Sequence, residues 1–589
     1  MSSVKGKIKR INGSLVIADG LAGAKIGDVI HIGSFELIGE VVRIAGGDVA
    51  VQCYEDTSGV KPGEPVVSTK MPLVAELGPG LMGSILDGLE FSETKMWDLT
   101  GPFMKKGTKI TPLDRKKKWN FVPKVKNGDK LVEGDIVGAV QETSVIEHRI
   151  LVPPGVKGEI IEVSKGDHTV EDDVITIKTS DGRKTGIRMM QVWPVKLPRP
   201  YKNRLPLAEP LVTGQRVVDS FFPVAKGGAA AIPGGFGTGK TVTLHQLAKW
   251  SEAHIIVYIG CGERGNEMAD VITHFPTLKD PRTGKELIER SIFIANVSNL
   301  PVSAREASIY MGVTIGEYFR DQGYDVAIMA DSTSRWAEAL RDISGRLEEI
   351  PAESGYPAYL SERIAEFYER GGRVYTLGSD RRTGSVTLMG AVSPPGGDFS
   401  EPVTSISLRF VGTLWALDTN LAFRRHFPAI NWLMSFSRYT DLLEDYWSKF
   451  DPEWLKFRDK ALALLEEASK IEETARIIGE KALPDEQRLV LLVSEMIREG
   501  FLVQSAFHEV DAFCEPEKQA KMLRSFIEFH ESIEPLVKAG IPIDKIRDLP
   551  TVVEIMRLKE RKGLEWIDKT MEKNNSEIND LAKQYELTI

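Results

Sequence analysis

The sequence predicts a multidomain fold: an N-terminal β-barrel, a central α/β domain carrying an inserted β-rich module, and a C-terminal α-helical domain. Three observations predict it. Residues 1–72 hold short alternating apolar runs cut by glycine-bearing turns. Over 191–435 apolar runs alternate with helical stretches, and one run leads through a glycine-rich octapeptide into a helix. Residues 436–589 are rich in Leu, Glu, Lys and Ala, with apolar residues at helical spacing. A chain of 589 residues is long enough to bury several separate cores.

Composition narrows the function classes. The chain is 42% hydrophobic and 27% charged, ordinary for a globular protein. With 75 Lys and Arg against 84 Asp and Glu, its net charge of −9 argues against general nucleic-acid binding, which needs a basic surface. Cys53, Cys261 and Cys514 are too few and too scattered for a disulfide framework or a zinc site, which points to a reducing cytosol. The start, Met1-Ser2-Ser3-Val4-Lys5-Gly6, lacks the apolar core of a signal peptide. No apolar stretch approaches the ~20 residues needed to cross a bilayer, so membrane association is expected through partners.

In residues 1–72, runs such as Leu15-Val16-Ile17 and Glu40-Val41-Val42-Arg43-Ile44 alternate, with turn signals at Asn12-Gly13 and Gly46-Gly47-Asp48. Close strand spacing of this kind suggests a small barrel. Residues 73–110 begin the central domain and include a short helix. A basic run follows, Asp114-Arg115-Lys116-Lys117-Lys118-Trp119, which reads as a solvated turn or strand end before a nucleic-acid patch. The module at 111–190 is β-rich and resembles the barrel-sandwich fold of biotinyl and lipoyl carriers. Its hairpin His148-Arg149-Ile150-Leu151-Val152-Pro153 has no lysine to modify, so the module reads as structural. Over 191–435, strand candidates are 229–232, 255–259, 292–295, 326–330, 374–377 and 386–389; helices are expected over 304–323 and 361–370. In the C-terminal part, helices are expected over 455–478 and 489–501.

The octapeptide Gly234-Gly235-Phe236-Gly237-Thr238-Gly239-Lys240-Thr241 fits the phosphate-binding pattern G-x-x-x-x-G-K-[ST]. An apolar run, Ala229-Ala230-Ala231-Ile232, precedes it, and a helix from Thr241 through Val242 to Trp250 follows. Glycines allow the backbone to wrap phosphates, and loop N–H groups with the helix N-terminus supply donors and positive dipole. Lys240 would reach the β- and γ-phosphates and Thr241 would hold Mg²⁺. The chain therefore reads as a nucleoside-triphosphate binder.

Two strand ends supply carboxylates. Ile255–Ile259 runs into Gly260-Cys261-Gly262-Glu263-Arg264-Gly265-Asn266-Glu267. Strand carboxyl ends carry the ligand in open α/β sheets, so Glu263 is the candidate base for water, and Arg264 the candidate γ-phosphate contact. Glu267 is the second choice of base; as a helix position it would lie a turn away, outside the site. Asp325-Val326-Ala327-Ile328-Met329-Ala330-Asp331 is an apolar strand ending in an acid, so Asp331 is the candidate Mg²⁺ holder through water. Ser332-Thr333-Ser334-Arg335 follows as further candidates for metal or phosphate contact.

These motifs, with Asp331–Glu338 and Pro394-Pro395-Gly396-Gly397-Asp398, look like the rotary ATPases, and most like the catalytic A subunits of the V/A type. The resemblance covers essentially the whole chain and implies a RecA-like P-loop domain, with 111–190 as the extra module that marks A subunits. It further implies Mg²⁺ with ATP or ADP, and an A3B3 ring in which B subunits supply an arginine finger in trans. Central-stalk and peripheral-stalk subunits, indirect attachment to a membrane ring and a cytoplasmic-face location follow from it too. The stretch 479–487 resembles the tip that presses on the central stalk. The segment 501–507 resembles the one that walls the adenine, with Phe507 the first choice and Phe501 the second, against a helix-core role. One departure stands out: where the family loop has Pro after its first Gly, this chain has Gly235, and Thr238 replaces a usual Ser. Proline fixes φ, so Gly235 is expected to loosen the loop. Two alternatives stay open, a non-catalytic nucleotide-binding subunit of the same ring and an RNA-translocating ring ATPase.

Overall fold

The computed structural model describes residues 4–101, 106–108 and 110–585. Met1–Ser3, part of the N-terminal stretch read above, lie outside the described residues. The chain divides into two compact units. One comprises Met1–Pro206, Ala253–Pro394 and Phe399–Phe410; the other comprises Leu207–Glu252, Pro395–Asp398 and Val411–Ile589.

The first unit opens with a closed six-stranded barrel of Val4–Asn12, Leu15–Asp19, Asp28–Ile32, Leu37–Ala45, Asp48–Cys53 and Pro65–Pro72. Alternation puts Val16, Ala18, Ile30, Ile32, Val41 and Val51 into its core. The turn at Gly46 and Gly47, φ 57° and 87°, joins the two longest-paired strands. The inserted module forms two four-stranded antiparallel sheets. One holds Trp119–Pro123, Ile136–Gln141, Glu147–Leu151 and Gly166–His168; the other holds Lys130–Leu131, Gly158–Val163, Asp173–Lys178 and Lys184–Arg188. In place of a displayed lysine, the strand Glu147–Leu151 buries His148, whose Nδ1 lies 2.6 Å from Glu142 Oε2 and whose Nε2 lies 2.8 Å from the Tyr318 hydroxyl. The basic run ends in this sheet: Asp114 accepts from the Lys116 backbone N–H, and Lys117 Nζ sits 3.8 Å above the buried Trp119 ring.

The core of the first unit is a parallel sheet in the order Ile85–Leu86, Ser291–Val297, Ile255–Glu263, Asp325–Asp331 and Thr383–Val392. Its strands are buried along almost their whole length, which is why they read as largely apolar runs without alternation. The helix Val302–Asp321 packs on it and is buried nearly throughout. The stretch expected as a further strand at 374–377 begins two residues earlier, at Gly372–Tyr375, and runs antiparallel to Thr383–Val392. The seven residues that join these strands are too few for a parallel crossover and suffice for a hairpin.

In the second unit, Ala229–Pro233 pairs in parallel with Thr413–Leu414, which pairs antiparallel with Phe436–Ser437. The remainder is helical, led by Trp454–Ile478, Asp485–Ile497, Pro516–Lys538 and Glu565–Gln584. Trp447 and Trp454 stack at 4.9 Å where the first long helix begins. The second expected helix, 489–501, starts at Asp485 and stops at Ile497; Arg498–Leu502 continues as one wider π-type turn. Among the described residues no helix is long and apolar enough to cross a membrane.

Candidate active site

The phosphate loop lies in the second unit between the buried strand Ala229–Pro233 and the helix Lys240–Trp250. Its glycines answer to two demands. Gly237 and Gly239 take φ of 77° and 88°, a region side chains avoid, whereas at Gly234 a Cβ would come within 2.6 Å of Thr238 Oγ1 and 2.7 Å of Leu417 Cβ. Gly235 has no such need: φ is not left-handed, and the nearest atom to a Cβ there is Thr419 Oγ1 at 3.4 Å. The loop is cross-braced without the proline. Thr238 Oγ1 donates to Gly235 O at 2.8 Å, and Lys240 Nζ donates to Gly234 O at 2.6 Å and Gly235 O at 3.0 Å. Phe236 at the tip is 81% exposed, and Val242 on the first helical turn is exposed.

The two aromatic candidates part company. Phe501 is fully buried in the π-type turn, edge-on to Phe221 at 5.7 Å and Phe526 at 6.2 Å. It packs as a core residue, the role held open against the adenine wall, and burial of a phenylalanine is worth roughly 1.5–3 kcal/mol. Phe507 is 94% exposed. Its segment is anchored by Arg216, which is buried and gives Nη1 to Asp511 at 2.6 Å, Nε to Phe501 O at 2.6 Å and Nη2 to Val503 O at 2.8 Å. Gln504 N donates to Phe427 O at 2.9 Å, and the Phe427 ring lies 3.7 Å from where a Cβ of Gly239 would stand. Phe427, half-exposed beside the loop, is an aromatic candidate that sequence reasoning missed. Only its neighbour Pro428 marks it in the sequence.

The carboxylates lie in the first unit. Gly260 of Ile255–Glu263 is in register with Asp331 at the end of Asp325–Asp331, so both acids sit at strand carboxyl ends. Burial, then the charge of Asp331, then Glu267, push the Glu263 carboxyl up to about 7, against a smaller opposing effect of Arg335. The charge of Glu267 acts on Glu263 at this range, so Glu267 is not outside this cluster. The helix Gly265–His274 begins after Arg264, and its first turn brings Glu267 back over the strand end. Arg264 stands at the N-cap position of that helix with its side chain more than half exposed and Nη1 3.7 Å from Glu267 Oε1. Asp331 is buried and accepts from the Tyr258 hydroxyl at 3.0 Å. The hydroxyls after it serve the protein: Ser332 Oγ caps the helix Thr333–Arg346 through Arg335 N, Thr333 Oγ1 donates to Ala391 O, and Ser334 Oγ accepts from Ser393 N.

Among the described residues no group of three or more His, Cys, Asp or Glu stands ready to hold a metal. One carboxylate and one hydroxyl are nonetheless a fitting protein share for Mg²⁺, which keeps several waters and takes its other oxygens from phosphates.

Chain segments match family models in sequence order. Residues 8–70 match the ATP synthase alpha/beta family beta-barrel domain, 110–196 the barrel-sandwich domain of the ATP synthase alpha/beta subunits, and 214–437 the ATP synthase alpha/beta family nucleotide-binding domain. Residues 443–547 match the C-terminal domain of V and A type ATP synthase. The nucleotide-binding match takes in the phosphate loop, Glu263 and Asp331 together, and with the fold it defines a nucleotide-binding subunit of the rotary ATP synthase class. Full-length relatives narrow this further. The A subunit of the A-type ATP synthase of Thermofilum pendens is 57% identical over 99% of this chain and 98% of its own length. Its counterpart in Thermococcus kodakarensis is 56% identical (98% and 100%), and that in Methanopyrus kandleri 54% (99% and 99%). The chain belongs to the A subunits of A-type ATP synthases. The resemblance drawn from its motifs is borne out, and neither the RNA-translocating nor the non-catalytic alternative gains support. The assembled ATPase EscN of the type III secretion system of enteropathogenic E. coli shares the fold, with a TM-score of 0.64 at 20% identity over 89% of this chain and all of that one.

Proposed function

We propose that this chain is the ATP-hydrolysing and ATP-synthesising subunit of a rotary A-type complex, with Glu263 as its general base. The observation that carries the assignment is a carboxyl at a strand end whose proton affinity is raised to about 7, close to working pH. Held near the γ-phosphate, Glu263 orients water and takes its proton. Lys240 exchanges its loop carbonyls for phosphate oxygens, Arg264 contacts the γ-phosphate, and the N–H groups of 234–241 cradle the rest. Thr241, and Asp331 through water, would hold Mg²⁺, which would supply positive charge against the phosphates. Phe507, with Phe427, packs on the adenine. The site is completed across an interface in an A3B3 ring, where B subunits contribute an arginine, and the 479–487 tip bears on the central stalk. Peripheral-stalk subunits and attachment to a membrane ring through partners place the chain on the cytoplasmic face.

Glu263→Gln in the assembled complex tests this. Nucleotide binding is expected to persist while turnover falls by about 10²–10⁴-fold, the usual share of a positioned base; turnover near the parent rate rules Glu263 out. Lys240→Ala is expected to weaken nucleotide binding itself by about tenfold or more, since a charge-assisted contact is worth ~1.5–3 kcal/mol.

A further inference from the structure

In the strand Ile255–Glu263, the buried aliphatic run Ile255-Ile256-Val257 and Ile259 is interrupted by Tyr258. That residue is 1% exposed, yet it carries a hydroxyl into the core, and the hydroxyl donates to Asp331 Oδ2 at 3.0 Å. Strand register explains the reach. Tyr258 lies opposite Met329 on the neighbouring parallel strand, two residues before the pair Gly260 and Asp331. Its ring is fixed from behind by Phe293 at 6.0 Å and Phe275 at 6.3 Å, and those two rings meet edge-on at 4.9 Å. A phenol clamped in this way does not swing with its acceptor; the acceptor must conform to the phenol. A phenylalanine would fill the same space, so packing alone does not account for a tyrosine.

We propose that Tyr258 is a positioning residue for the reaction: by holding one oxygen of Asp331 it fixes the rotation of that carboxylate and so sets how it meets the hydrated Mg²⁺ of the nucleotide. The proposal rests on the assignment of Asp331 to the cation. Groups that orient a metal-binding carboxylate typically contribute 10–100-fold in metal affinity. A partner acting through one water contributes at the lower end of that range.

The experiment uses the full chain loaded with ADP and titrated with Mn²⁺ followed by electron paramagnetic resonance, which reads cation binding without turnover. Tyr258→Phe is expected to weaken Mn²⁺ binding about tenfold, to leave ADP binding in excess EDTA unchanged, and to melt within a few degrees of the parent. Asp331→Asn, run in parallel, separates the two claims. If Asp331→Asn weakens Mn²⁺ binding and Tyr258→Phe does not, the role of Tyr258 is overturned while that of Asp331 stands. If neither variant moves Mn²⁺ binding, the assignment of Asp331 falls and the proposal with it. A Tyr258→Phe protein that loses metal-free ADP binding along with Mn²⁺ binding shows a packing role and overturns the proposal.

Discussion

Glu263 closes its strand, and burial first, then the charges of Asp331 and Glu267, hold its carboxyl up to about 7. The base form of Glu263 fills as pH rises through about 7. Turnover of the assembled complex is therefore expected to climb through that pH and level off about one unit above it, falling as pH drops below. Glu267→Gln removes a like charge, one of the causes that raise Glu263, so the climb is expected at lower pH. A pH profile of kcat checks this, and a limb that stays in place shows that Glu267 does not tune the base. The same scale separates the two phenylalanines six residues apart. Phe501 is spent on the core and Phe507 is left outside, although both are the same side chain in the same stretch.

At the level of elements, the segment that carries Phe507 is held to the segment 207–252 by a network centred on a buried cation. Arg216 reaches Asp511 and two backbone carbonyls, and its own N–H donates to Gln504 Oε1 at 2.8 Å. Gln504 Nε2 in turn donates to Gly214 O at 2.7 Å and Asp511 O at 2.8 Å. Removing the cation leaves Asp511 buried without its partner. Arg216→Met is therefore expected to cost about 3–5 kcal/mol, read from urea unfolding, and Arg216→Met with Asp511→Leu to recover part of that loss. A cost under about 1 kcal/mol would mean that the pair is not what anchors the segment. The phosphate loop is a second case: two bonds from Lys240 and one from Thr238 brace it where proline would have stiffened it.

For the whole molecule, the long helix Trp454–Ile478 ends in a short connection to Asp485–Ile497, and Ile477 beside it is 85% exposed with Ile478 half-exposed. Apolar side chains left in water at a helix end suit a partner surface. Substituting both by Ser is expected to leave the fold and nucleotide binding intact and to lower ion transport per ATP in the reconstituted complex by severalfold. Full coupling in that variant would remove these residues from the stalk contact. The chain mixed with the proposed B subunit, measured for mass and ATPase activity together, tests whether the site is completed across an interface.

The three-part architecture, the phosphate loop and both carboxyl strand ends are legible in the order of residues alone. Each is written locally: alternation for the barrel strands, largely apolar runs without alternation for buried parallel strands, and glycines where φ is left-handed. Other features depend on residues far apart in the chain and emerge only on packing. The antiparallel turn-back at Gly372–Tyr375 comes from a connection too short to cross over. The burial of Phe501 comes from Phe221 and Phe526, and the place of Phe427 beside Gly239 from a loop almost 190 residues later. The hydrogen bond from Tyr258 to Asp331 spans 73 residues. Local pattern records which face of an element is apolar, whereas the partner across that face is fixed only when distant elements pack, and in this chain those partners tune the chemistry.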